Sequence, residues 1–173
     1  GKKSCGAFAG VCFGTVENCF ATGTIKAKEA VGGLVGKCEG ELRNCVSYMK
    51  VKGKSLVGGL VGNILGGAVE NCYVGGSVTV SGGKASAGGV AGTFAVATYL
   101  RNVASVIREV SGDEGASDID RLVGTLESES GTNITNNYIW EGAILNGNAP
   151  VEHPNRSIAQ AVSTETLMSR SLY

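Results

Sequence analysis

Gly58-Gly59-Leu60-Val61-Gly62, a six-residue spacer, then Val69-Glu70-Asn71-Cys72: this stretch decides the fold because the chain says it again and again. The pentad stands unchanged at Gly32-Gly33-Leu34-Val35-Gly36. It is looser at Gly6 to Gly10 (GAFAG) and Gly88 to Gly92 (GGVAG), and decays to DRLVG ending at Gly124. Its second half returns as VENC at Val16 to Cys19, LRNC at Leu42 to Cys45, LRNV at Leu100 to Val103 and ITNN at Ile134 to Asn137. The last glycines of successive pentads lie 26, 26, 30 and 32 residues apart. A period of that size marks a stacked repeat, in which no unit can bury its own apolar face and each neighbour covers the last.

Working outward from the pentads, the intervening runs favour β-structure. Thr22-Gly23-Thr24-Ile25, Val46 to Val51 and Ser77-Val78-Thr79-Val80-Ser81 tend to alternate apolar with polar residues, the period of a half-buried strand. Glycines punctuate them where corners are expected, since glycine takes positive φ without steric cost. The expected fold is therefore all-β, a β-solenoid (β-helix) of about five coils, each holding about three short strands. Residues 1–145 form the solenoid in this reading, and residues 146–173 a C-terminal cap or linker with a short helix, cut from a larger protein. The Ile134 to Trp140 stretch is expected as one capping strand, because an open solenoid end leaves strand edges unpaired.

Composition agrees and excludes several classes. The chain has 173 residues, 43% of them hydrophobic, with 28 glycines and only two prolines. That is too apolar for disorder, and the glycines do not fall at every third position as collagen demands. Gly, Lys and Glu interrupt every apolar run before it reaches membrane-spanning length, so direct membrane insertion is not expected. No basic stripe with interleaved aromatics suggests nucleic acid as a partner. Net charge is zero, yet residues 1–54 carry nine Lys or Arg against four acids and residues 105–173 four against ten. In a solenoid this becomes a basic end and an acidic end, suited to flanking domains of the same protein.

The repeat also accounts for most of the chemistry-bearing side chains. Cys19, Cys45 and Cys72 recur at one place, as do Cys12 and Cys38, and Asn18, Asn44, Asn71 and Asn102 recur just before the first set. Cysteine then serves as a small core residue stacked from coil to coil. The asparagines are expected to bridge between coils at a bend and satisfy buried polar groups. A disulfide, best between Cys12 and Cys38, is the alternative, but stacked side chains point the same way and suit a bridge poorly. Zinc is disfavoured because no CxxC pair exists.

Nothing else assembles a catalytic, cofactor or metal site. The glycine strings lack the GxxxxGK[ST] order of a phosphate loop, and His153, the single histidine, has no visible triad or zinc partners. Asn133-Ile134-Thr135 and Asn155-Arg156-Ser157 match a glycosylation sequon. The densest acidic cluster, Asp113, Glu114, Asp118 and Asp120 with Arg121, falls where a coil is lengthened and is the candidate ligand loop, together with the 93–99 insertion. Calcium there is disfavoured, because the repeated GGxGxDxUx pattern of calcium solenoids is absent. A polysaccharide-acting β-helix enzyme is the rival class, and would need a groove lined by residues that occur once.

The GGLVG pentads followed by Val69-Glu70-Asn71-Cys72-Tyr73 resemble the GLUG repeat, over about residues 5 to 140. Thr164 to Tyr173 is similar to the short helix and linker that close such arrays. The fifth copy departs from the pattern, with Asp120-Arg121 where two glycines are expected. The resemblance implies a bacterial extracellular or cell-surface module, as in adhesin-like proteins and noncatalytic regions of immunoglobulin A specific metallopeptidases. It implies no catalytic residues and no cofactor. It points to a rigid spacer or an adhesion and substrate-docking platform, with a host glycan or glycoprotein as the expected partner.

Overall fold

The computed structural model describes residues 3–83, 85–95, 98–116, 118–127, 133–146 and 159–168. Among them the chain winds through four parallel sheets. One holds Ala9–Cys12, Val35–Cys38, Val61–Ile64, Ala91–Phe94 and Val123–Leu126. A second holds Thr15–Glu17, Glu41–Arg43, Ala68–Glu70, Tyr99–Arg101 and Asn133–Thr135. The third and longest begins with Phe20–Lys26, Val46–Gly53 and Tyr73–Val80. Its later rungs split into Ala104–Ser105 with Glu109–Gly112 and Tyr138–Trp140 with Ile144–Leu145. The fourth holds Val31–Gly32, Val57–Gly58, Ser86–Gly88 and Asp118–Asp120. Paired strand residues sit over their repeat equivalents: Cys12 over Cys38, Leu42 between Val16 and Val69. This is a β-solenoid, as the repeat requires.

A middle winding carries four strands, not three, and a later one five where the long strand splits; the pentad supplies the extra strand. It does not form a plain corner; it contributes two strands, Val31–Gly32 and Val35–Cys38 in one repeat, with a bend at Gly33 and Leu34 between them. The pentad glycines are absent from the positive-φ residues, so backbone freedom does not explain them. Close approach does. A Cβ on Gly32, Gly58 or Gly88 would lie 2.0 Å from the carbonyl oxygen of Val35, Val61 or Ala91, and no side chain fits there.

The corners belong to asparagine instead. Asn18, Asn44, Asn71, Asn102 and Asn136 all take φ between 52° and 55°, the left-handed region that asparagine tolerates better than other residues with a Cβ. A second corner puts Ala30 and Leu56 at φ 41° and 49°. The residues between alternate cleanly: in Val46–Gly53 the side chains of Ser47, Met49 and Val51 are buried, and those of Tyr48, Lys50 and Lys52 are exposed.

The core is a set of columns. Leu34, Leu60, Val90 and Leu122 form one, and Leu42, Val69 and Leu100 another, all essentially inaccessible to water. Burying each such leucine is worth about 1.5–3 kcal/mol. A further column changes size along the axis, from Cys12 and Cys38 through Ile64 and Phe94 to Leu126.

At the C-terminal end the expected single strand over Ile134 to Trp140 is two, separated by the Asn136 corner, so this stretch is a repeat rung like the others. Gln160–Val162 then pairs with Tyr138–Trp140 and extends the long sheet by one strand. The helix Thr164–Met168 follows, its Thr166 amide donating to Ser163 Oγ at 3.2 Å and its Thr164 Oγ1 accepting from Trp140 Nε1 at 3.0 Å. His153, the Asn155 sequon, Ser117 and residues 96 and 97 of the 93–99 insertion lie outside the described residues, as does most of the 146–173 segment.

Candidate functional site

The structure gathers the repeat-borne candidates into two ladders. All six cysteines are free thiols. Cys19, Cys45 and Cys72 each donate to the carbonyl two residues back, at 3.2, 3.1 and 3.1 Å, and Cys12 and Cys38 to the carbonyl two residues ahead. Burial pushes the Cys38 thiol up to about 12. Cys72 is also pushed up, by its hydrogen bond to Cys45 and by burial. Cys38 and Cys72, held protonated in this way, are poor nucleophiles and poor metal ligands, whereas the hydrogen bond to Cys72 pulls the Cys45 thiol down to about 6. In the same column Val103 and then Asn137 replace cysteine. Asn137 is 2% exposed, accepts from the Val103 amide at 3.0 Å and donates to the Leu100 carbonyl at 2.9 Å.

The asparagine ladder bridges coil to coil on the solvent side, so the polar groups it satisfies are exposed and not buried. Asn102 Nδ2 donates to Asn71 Oδ1 at 3.0 Å and Asn71 Nδ2 to Asn44 Oδ1 at 3.3 Å. The corner turns their side chains outward, so their first duty is conformational and the bridging follows from it.

The acidic cluster divides. Asp113, Glu114 and Asp118 are exposed around a turn with Gly115 at φ 98°. Asp120 and Arg121 do not belong to a ligand loop. They occupy the first two pentad positions of the last repeat and are each 6% exposed. Asp120 Oδ1 accepts from the Leu122 amide at 2.7 Å, fixing the bend that glycine makes elsewhere. Among the described residues no group of three or more His, Cys, Asp or Glu is placed to hold a metal ion.

A concave site lies elsewhere, on the outer face of the long sheet. A groove of about 520 Å³ crosses successive rungs: Thr22, Gly23 and Thr24 from one, Tyr48 and Lys50 from the next, then Gly76 and Ser77, Arg108 and Glu109, and Ile144. Its floor is low because glycine supplies it. Gly23 and Gly76 take φ of 124° and 96°, which also bends their strands. The Tyr48 ring lies across Gly75 of the next rung, where a Cβ would meet two ring carbons at 2.6 Å, and half the tyrosine stays exposed. Threonine and serine hydroxyls, one aromatic ring, two cations and a single carboxylate therefore face one open channel.

Beside it the charges are arranged in two contrasting ways. On the second sheet the column Glu17, Arg43, Glu70, Arg101 alternates in sign from rung to rung. Arg43 pairs with Glu41 at 3.0 Å and Glu70 at 3.6 Å, and Arg101 Nε donates to Glu70 at 2.6 Å. On the long sheet Lys26 sits directly over Lys52, and just past the strand ends the Lys54 amide bonds the Lys28 carbonyl at 2.8 Å, bringing that pair together too. With Lys50 these make five exposed lysines on two adjacent rungs, and among the described residues none pairs with a carboxylate. Sequence reasoning passed over them, although the signal was present: Lys26 and Lys52, like Lys28 and Lys54, stand one 26-residue period apart.

The family profile described as the GLUG motif matches residues 53–79. That span runs from the end of one long strand through a pentad and an Asn71 corner to the next, so it covers one winding of the solenoid. No curated protein and no solved structure matches the chain.

Proposed function

We propose that this chain is a noncatalytic repeat module of a bacterial extracellular or cell-surface protein, and that its long sheet docks a glycan. The groove carries this reading. It is concave, spans several rungs, and presents hydroxyls, a half-exposed tyrosine and mixed charges, the inventory for hydrogen bonding sugar hydroxyls and covering the apolar face of a sugar ring. The stacked core gives such a platform rigidity, and flanking domains of the same protein are its expected neighbours. Glycoside hydrolysis takes two carboxylates about 5–9.5 Å apart, whereas the groove lining has one, Glu109; this favours docking over cleavage. No helix among the described residues is long and apolar enough to cross a membrane.

The test is titration of the folded chain against host glycans, mucin and immunoglobulin A, with Tyr48→Ala in parallel. Saturable binding lost in that variant supports docking. Absence of binding across the panel leaves the rigid-spacer role, which the continuous columns would serve equally well.

A further inference from the structure

Like charges placed directly opposite one another on paired strands repel and destabilise a sheet. The chain avoids this on its second sheet, where sign alternates along the column and both arginines find glutamates. It does the reverse along the long sheet: Lys26 faces Lys52, Lys50 projects from the same strand face, and just past the strand ends the backbones of Lys28 and Lys54 lie one over the other. The rung above offers Ser77 and Thr79 opposite Lys50 and Lys52, so no carboxylate relieves the array from that side. Glu29, next to Lys28 in sequence, is exposed and forms no ion pair with it. Unrelieved repulsion on one patch of a molecule with zero net charge points to a partner that brings the missing negative charge.

We infer that the groove and its lysine array bind an anionic polysaccharide, one whose sugar units carry carboxylate or sulfate; this rests on the docking reading above and adds the ligand's charge. Two features select a glycan over other polyanions. Lys50 belongs both to the array and to the groove, so a bound chain meets cations and hydroxyls together. Single-stranded nucleic acid is held by successive bases stacking on several aromatics, and the groove lining offers Tyr48 alone. Strand geometry places alternate lysines such as Lys50 and Lys52 about 6.6 Å apart and the paired Lys26 and Lys52 about 4.8 Å apart, a lattice that holds spaced charges on a semi-rigid polymer.

The experiment uses the full chain with an oligogalacturonate, its methyl ester and a single-stranded oligonucleotide of equal charge, by calorimetry at two salt concentrations. The expected result is binding to the acid form at least tenfold tighter than to the ester, weakening as salt rises. The Lys26→Gln/Lys52→Gln/Lys54→Gln variant should lose most of that preference while its circular dichroism stays unchanged. Equal affinity for acid and ester overturns the inference and leaves docking standing. No binding to either overturns both. Oligonucleotide binding as tight as the acid glycan, and equally sensitive to the lysines, overturns the glycan assignment.

Discussion

Asn71 shows how one residue type answers a backbone demand and then a side-chain opportunity. Its φ of 53° is unfavourable for most residues with a Cβ, and its side chain bonds the asparagines before and after it. Asn71→Ala should destabilise by about 1–2 kcal/mol, the cost of forcing alanine left-handed. Asn71→Gly should lose less, because glycine accepts the angle and forfeits only exposed hydrogen bonds. Urea unfolding of both variants distinguishes the two contributions; equal losses would make the ladder, not the angle, the reason for asparagine. Cys38 makes a pH prediction. Its folded thiol titrates at about 12, well above the roughly 8.5 of an unfolded cysteine. Above pH 8.5 the unfolded chain releases that proton and the folded chain does not, so the unfolded state gains and stability falls as pH rises toward 12. Under reducing conditions the melting temperature should decline from pH 8.5 to 10.5, and Cys38→Val should make that decline shallower, the raised Cys72 thiol keeping part of it.

At the scale of an element, the pentad bend at Gly59 has no room for a side chain whereas the outer turn at Gly14 does. A Cβ on Gly59 would lie 2.1 Å from the Gly89 carbonyl and 2.7 Å from Val74 Cγ1, so Gly59→Ala should cost 1–3 kcal/mol or more, roughly the range for overpacking. Gly14 has nothing within 4 Å and does not take positive φ; Gly14→Ala should be neutral or stabilise by about 0.4–1 kcal/mol through the unfolded chain. Thermal melts of the two read this directly. The contrast marks what the sequence could tell. Period and alternation made the rungs, the long strands and the stacked cysteines legible, because stacking copies each residue onto its equivalent. The pentad's bend into two strands was not legible, since glycine from close approach and glycine from positive φ look alike in one dimension. Asp120 and Arg121 misled for a related reason: two charges beside an acidic loop read as loop until the register places them in the pentad. The groove escaped because Tyr48, Arg108 and Ile144 come from different repeats and meet only when the coils are stacked.

The whole molecule behaves as a line of rungs, each held by its neighbours, so its ends and middle need not unfold together. Trp140, the single tryptophan, stands on the last regular rung and bonds Thr164 of the terminal helix. Its fluorescence therefore reports the C-terminal end while far-ultraviolet circular dichroism reports the sheets. On heating, the fluorescence transition should precede the dichroism transition, and Thr164→Ala should advance the first while leaving the second in place; coincident, unshifted curves would mean the stack unfolds as one unit. The stack has one more property. An array of identical rungs could slip by a whole period and re-form every hydrogen bond, because each rung would find an equivalent partner. The column that runs from Cys12 and Cys38 through Ile64 to Phe94 forbids this. A slipped chain would seat the Phe94 ring in the slot of Ile64 and Ile64 in a slot cut for a thiol, and leave a void where the ring belonged. Side-chain volume thus works as a serial number, telling each coil where in the order it stands.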